Sequence, residues 1–318
     1  MGGRLRPLRD AAVLIPVYAD RGTLARAVAS VGACERVGRV IVVDDGSPVP
    51  APAEGVRGAA PEGVEVEVIR QANAGASAAR NAAMDAMLRR EEIRVGVFLD
   101  ADDELLPGAG TAIEELDRSG ALAVLGGRTI VEPGREEREK PPPEEWLSGN
   151  AGRVPGVGDC FRPILLFSTT GVVFARRVAE AGIRLAPELK VAHDREWLAR
   201  VRASGEVRLV REPVVRYYHE ALGESLTSRR RIGTQVADLR WMLERHPDAG
   251  GVRWMREQAV WLLGQGAKHG ASDADWAALV GLFRERGWGV PLKPRLRRWL
   301  GRGSRHGAHG THGGRAGA

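Results

Sequence analysis

In the first half of the chain, short runs of β-branched residues alternate with Ala-rich stretches of helical period. That alternation predicts an α/β domain with a largely parallel sheet. The apolar runs fall at 11–17 (AAVLIPV), 39–44 (RVIVVD), 64–69 (VEVEVI) and 94–99 (RVGVFL). Helical patterning fills 22–34 and 75–90, and a helix at 108–119 and a strand at 121–131 continue the series. Residues 132–158 break it: "EPGREEREKPPPEEWLSGN" carries too much charge and proline for core helix or sheet. A long exposed loop is expected there, either a lid over a site or a plain insertion. Periodicity resumes through "STTGVVFARRVAEAGI", a helix at "HDREWLARVRASG" and a strand at "EVRLVREPVVRYY", which closes the α/β part near residue 224. Residues 225–300 predict a helical extension of three helices packed by Trp241, Trp254, Trp261, Trp276 and Trp288. The Gly-rich segment 301–318 predicts a disordered basic tail, where His306, His309 and His312 offer at most weak metal capture.

Composition narrows the class. A chain of 318 residues that is 43% hydrophobic and 28% charged has the make-up of a globular protein able to bury a sizeable core. The net charge of +6 favours a phosphate-bearing ligand or an anionic surface, although much of the excess sits in "KPRLRRWLGRGSR", where a solvated tail explains it equally well. Cys34 and Cys160 are the only cysteines and form no CxxC pair, so neither a disulfide framework nor a structural zinc site is indicated. The opening "MGGRLRPLRDAAVLIPVYAD" has the charge order of a secretion signal, but its apolar run is short, contains Pro16 and ends at Asp20. A first β-strand is expected instead. No apolar stretch approaches the roughly 20 residues of a membrane span. The expected compartment is the cytoplasm, at the inner face of the membrane if the basic stretch 293–303 engages it.

Candidate chemistry lies at the strand ends, because open α/β sheets bind ligands beyond the carboxyl ends of their strands. Pro16-Val17-Tyr18 follows the first strand, Asp44-Asp45-Gly46-Ser47 the second, and Asp100-Ala101-Asp102-Asp103 the fourth. Five acidic residues are thus expected to converge on one rim. Unpaired they would raise one another's pKa values, and a divalent cation would hold them ionised. An EF-hand starting at Asp100 fails, since Leu105 and Thr111 stand where Gly and Glu are needed. A dehalogenase-type phosphatase is disfavoured by Glu104 after the acidic motif, and a dinucleotide site by the lack of GxGxxG after a strand.

Taken together, "VLIPVY", "VIVVDDGS", "NAGASAARNAAM", "VFLDADDELLPG" and "HDREWLARV" occur in the order found in the family 2 glycosyltransferases, which this chain resembles from about residue 11 to 220. The resemblance implies a GT-A fold, a Rossmann-like α/β architecture, with a nucleotide-diphosphate-sugar donor and inversion at the anomeric carbon. It implies that Pro16, Val17 and Tyr18 lie against the nucleotide base and that Asp45 hydrogen-bonds it. Asp102 and Asp103 match the positions that bind ribose and the Mn²⁺ or Mg²⁺ on the diphosphate, while Asp100 and Ala101 begin the motif. Arg80, in the Gly-rich opening of a helix, is expected either to face a phosphate or, with Asn81, to pair with the acids of the two loops and fix their shape. Asp194 matches the base that deprotonates the acceptor hydroxyl, with His193 standing where Glu is usual. His219 falls where some such enzymes place a further metal or phosphate contact.

The donor is expected to be a UDP-, dTDP- or GDP-sugar and the partner an acceptor the sequence does not identify; no nucleic acid is expected. Processive synthases of this family carry a QxxRW motif; here Ala237 stands where Gln would, three residues before Arg240-Trp241, so transfer of one sugar per event is favoured. Two alternatives stand beside this reading. One is an idle nucleotide-sugar-binding scaffold; the other is a nucleotidyltransferase, disfavoured because "PVYADRGTL" lacks the Gly-rich run such enzymes carry after the first strand.

Overall fold

The computed structural model describes residues 8–149, 152–161, 168–218, 232–246, 249–269 and 271–290. His219 and the segment 291–318, which includes the basic stretch and the three tail histidines, lie outside the described residues. The chain divides into two compact units, Met1–Arg229 and Arg230–Ala318.

In the first unit the strands are β1 (Ala11–Val17), β2 (Val37–Asp44), β3 (Glu65–Arg70), β4 (Val95–Phe98), β5 (Glu104–Leu105), β6 (Ala123–Val131), β7 (Arg138–Lys140), β8 (Val172–Ala175) and β9 (Val207–Tyr218). The helices are α1 (Leu24–Ser30), α2 (Ala53–Ala59), α3 (Ala76–Leu88), α4 (Gly108–Ser119), α5 (Glu144–Leu147), α6 (Arg176–Glu180) and α7 (His193–Ser204). The strands form a single sheet in the order β3-β2-β1-β4-β8-β6-β9-β5, with β7 added to β6.

The expectation of a largely parallel sheet holds in part. Pairs β3–β2, β2–β1, β1–β4 and β6–β9 are parallel, but β8 runs antiparallel to both β4 and β6, β7 antiparallel to β6, and β5 antiparallel to β9. The periodicity of single strands carries no information on direction. Polarity is set by whether a connection crosses over through a helix or turns back. The strongly apolar β1 occupies the centre, and Ala11 to Ile15 are completely buried, as befits a strand covered on both faces. The alternating VEVEVI run becomes β3 at the edge, where Glu65 and Glu67 discourage further pairing.

The expected loop at 132–158 carries two short elements, the exposed edge strand β7 and helix α5. It is pinned to the domain where Trp146 is buried, where the Leu209 N–H donates to the Gly152 carbonyl, and where the Val154 N–H donates to the Val207 carbonyl.

The second unit contains α8 (Ile232–Arg245), α9 (Ala249–His269) and α10 (Asp273–Glu285), packed on one another. Ser272 caps α10 by accepting the Asp275 N–H at 3.1 Å. Its core is aliphatic: Leu239, Met242, Leu243, Leu262, Leu263, Leu279 and Leu282 join Met255 and Phe283. This corrects the expected role of the tryptophans. Trp261 is 53% exposed, Trp241 and Trp276 are only partly buried, and Trp288 stacks edge-on against Phe283 at 5.7 Å. A large ring with a polar edge is easily left half in water, so helical periodicity alone overstates its burial. The side chain of Trp254 lies outside the described residues.

Candidate active site

The two acidic loops at the carboxyl ends of β2 and β4 meet different fates. Asp44 is buried and accepts from the Ser47 N–H at 2.8 Å, the Ala51 N–H at 3.0 Å and Arg70 Nη1 at 2.8 Å. Burial alone would raise its pKa, but the hydrogen bonds from Ser47 and Ala51 and the Arg70 charge outweigh it and hold the carboxyl below its ordinary value. Asp45 is also buried, and its oxygens accept from Gln71 Nε2 at 2.8 Å, the Ala74 N–H at 2.9 Å and the Gly75 N–H at 2.8 Å. Both amides belong to the turn that opens α3, where the helix dipole favours an anion. The amides expected to face a phosphate are therefore turned, at these two positions, toward Asp45. Pro16, Val17 and Tyr18 end β1 beside this loop. Val17 is core, its carbonyl accepts the Asp45 N–H at 2.9 Å, and only Tyr18 projects, 55% exposed. Ala19 adopts a positive φ of 52°, with its N–H held by Ser47 Oγ at 2.9 Å.

Gly46 is required directly after these acids. Its φ is +74°, and a Cβ there would sit 2.7 Å from the Asn73 nitrogen. Gly46→Ala is therefore expected to cost about 1–3 kcal/mol, measured by chemical denaturation, and to push the 71–75 loop off Asp45.

The second loop gathers three carboxylates. Asp100, Asp102 and Asp103 offer oxygens that all lie within 4.8 Å of one another. The loop is turned by the Asp103 N–H donating to the Asp100 carbonyl at 3.1 Å, and the Asp100 N–H donates to Thr170 Oγ1 at 3.1 Å. Ala101 is half-buried and packs against the core, whereas Asp102 is exposed. Asp103 is 1% exposed; its Oδ1 accepts the Tyr218 N–H at 3.0 Å, and its Oδ2 is buried with no hydrogen-bond partner. Burial, then the neighbouring charges of Asp100 and Asp102, push its carboxyl up to about 8. An orphaned carboxylate oxygen in a set of hard oxygen donors fits a divalent cation such as Mn²⁺ or Mg²⁺. The expected convergence of five acids is thus reduced to three, because main-chain amides, Gln71 and Arg70 absorb Asp44 and Asp45.

Asp194 lies in the first turn of α7. Three residues on, Trp197 lies on the same face of that helix and is completely buried. It packs edge-on against Phe98 of β4 at 5.5 Å and Phe174 of β8 at 5.8 Å, and Phe98 and Phe174 lie 4.8 Å apart. This aromatic trio locks the start of α7 to the strand that carries the acidic loop. Asp194 Oδ1 accepts the Arg195 N–H at 2.7 Å. The group keeps a solvent-accessible face yet sits deep among protein atoms, so desolvation raises its pKa against the opposing pull of Arg195 and Arg80.

Arg80 and Arg128 also stand among these acids. Arg80, 5% exposed, forms a close ion pair with Asp100, while its Nε and Nη1 are buried without a partner. Its charge also reaches Asp194. Arg128, from β6, sits over the Tyr217 ring at 5.5 Å, and desolvation lowers its pKa against the charges of Tyr217, Asp103, Asp194 and Asp100. Arg128, Thr170, Tyr217 and Tyr218 are site residues that the sequence reading missed. Their one signal was the aromatic pair at the end of a strand. Asn81, expected beside Arg80 on the acids, instead bonds the Leu185 main chain twice, at 2.8 Å each way, and so steadies the segment before α7.

With this geometry in hand, comparison with known proteins is direct. The family model for Glycosyl transferase family 2 matches residues 12–177, more than half of the chain, so the chain belongs to that family. No curated protein sequence matches it. Among solved structures it is similar to Staphylococcus aureus TarS 1–349 in complex with UDP-GlcNAc, at 15% identity and a TM-score of 0.64 over 89% of this chain and 82% of that one. It is also similar to the mannosyltransferase PcManGT of Pyrobaculum calidifontis, in complex with GDP-Man and Mn²⁺. There the identity is 15% and the TM-score 0.54, over 92% of this chain and 83% of that one. The fold is GT-A. No helix among the described residues is long and apolar enough to cross a membrane.

Proposed function

We propose that this glycosyltransferase is metal-dependent and inverting, and moves one sugar from a nucleotide-diphosphate sugar to an acceptor hydroxyl. The observation that carries this reading is the acidic trio Asp100, Asp102 and Asp103, in which Asp103 Oδ2 is buried without a hydrogen-bond partner, set within the same electrostatic field as Asp194. The complexes of TarS with UDP-GlcNAc and of PcManGT with GDP-Man and Mn²⁺ support a nucleotide-sugar donor here as well.

In this reading Asp102 and Asp103 would hold the cation, and Asp100 is kept in place by Arg80. When bound, the cation neutralises charge on the diphosphate as it leaves. Asp194 takes the proton of the acceptor hydroxyl while that oxygen attacks the anomeric carbon. The bond from that carbon to the diphosphate oxygen breaks, and the leaving diphosphate keeps the electron pair. Its raised pKa makes the Asp194 carboxylate a stronger base than an ordinary one. Arg80 and Arg128 add fixed positive charge in a desolvated setting where it acts strongly on developing negative charge. Tyr18 offers the exposed ring at the end of β1 for a base, and Asp45 acts mainly by holding the 71–75 loop.

The test is sugar release and transfer from UDP-, dTDP- and GDP-sugars with Mn²⁺, alongside thermal shifts with the same donors. At least one donor is expected both to raise the melting temperature and to turn over. A donor that binds but never turns over would instead support the idle scaffold, and no response to any donor would overturn the reading.

A further inference from the structure

Helix α1 grips the acidic loop from one face. Arg26 and Ser30 are four residues apart and so lie one above the other. Arg26 Nη2 donates to the Asp102 carbonyl at 2.7 Å, and Ser30 Oγ accepts the Leu105 N–H at 2.8 Å. The same guanidinium reaches Glu104 through Nε at 3.0 Å and lies over the Tyr218 ring at 3.9 Å. Tyr218 in turn donates its hydroxyl to Glu104 Oε1 at 2.8 Å and its main-chain N–H to Asp103 Oδ1 at 3.0 Å. Arg216 Nη1 completes the Glu104 contacts at 3.0 Å. An arginine that is 41% exposed is thus immobilised at three points, each one step from a carboxylate of the trio.

We propose that Arg26 is a positioning residue: by fixing the Asp102 main chain and the Tyr218 support of Asp103, it presets these carboxylates for a divalent cation. The inference rests on the metal-dependent reading above and adds a residue outside the motifs that define the site. Its logic is that ligands held in place before the cation arrives lose less freedom on binding it. The planar guanidinium matters as much as its charge. Its fork meets the carbonyl and Glu104 together while its face covers the tyrosine, a combination a lysine ammonium cannot reproduce.

The experiment is a Mn²⁺ titration followed by the electron paramagnetic resonance signal of free Mn²⁺, with UDP or GDP present, on the full chain and on Arg26→Gln and Arg26→Lys. Metal-free melting curves accompany it. Both variants are expected to bind Mn²⁺ about tenfold or more weakly, the scale seen when supports of metal ligands are removed, and to melt metal-free as the wild type does. Wild-type Mn²⁺ affinity in either variant would overturn the inference. So would a loss of affinity that tracks a loss of metal-free stability, since Arg26 would then be a fold contact. Failure of the wild-type chain itself to bind Mn²⁺ with either nucleotide would overturn the metal-dependent reading, and this inference with it.

Discussion

Asp194→Asn is expected to lower kcat by about 10²- to 10⁴-fold, the range typical for loss of a positioned general base. The amide keeps an oxygen for the Arg195 N–H, so the start of α7 should hold its shape. Donor KM is expected to change by less than about threefold, because the lost interaction forms only as the proton moves. The wild-type rate should fall as pH drops through the raised pKa of Asp194, where the base becomes protonated, and the variant's residual rate should lack that limb. Stability should move the other way. A carboxyl whose pKa is raised by folding weakens the fold as pH rises above its ordinary value, so Asp194→Asn should melt no lower than wild type at neutral pH. Steady-state kinetics across pH with one active donor would check both; an unchanged kcat would remove Asp194 from the proposed role.

Asp103→Asn, and removal of divalent cations from the wild type, are expected to abolish turnover to a similar degree. Loss of charge compensation on a departing diphosphate amounts to several kcal/mol, or on the order of 10³-fold in rate. Asparagine at 103 still accepts the Tyr218 N–H but removes one of three mutually repelling carboxylates. The metal-free variant is therefore expected to melt at or above the wild-type temperature while losing Mn²⁺-dependent activity. That opposition of stability and activity separates a functional carboxylate from one the fold needs. Activity that survives both chelation and Asp103→Asn would mean that the acidic trio holds no cation.

Much of this protein was legible in its residues. The β-branched runs at 11–17, 39–44, 64–69 and 94–99 and the helix at 108–119 became elements within a few residues of their expected bounds, because each is long enough to show its period. The two-residue strand β5 and the short helices α2 and α6 were not readable, since two residues show no alternation and a helix of five or seven residues makes at most about two turns. Among the acids, sequence order located both clusters but not their difference. Asp44 and Asp45 look no different from Asp102 and Asp103 until the 71–75 loop, Arg70 and the start of α3 are brought against them.

What the sequence determined by itself is therefore the family, the α/β character of the first unit and the acidic residues that end its strands. These depend on local period and on residue type at fixed spacing. Only the tertiary structure decided that Asp103 keeps an unpartnered oxygen, that β8 reverses against β4, that Phe98, Phe174 and Trp197 bind Asp194's helix to the strand that carries the acidic loop, and that Arg26, Arg128 and Tyr218 close around that loop. Those outcomes turn on contacts between residues many tens of positions apart, and whether a buried charge is compensated or left open depends on which distant groups the fold delivers to it.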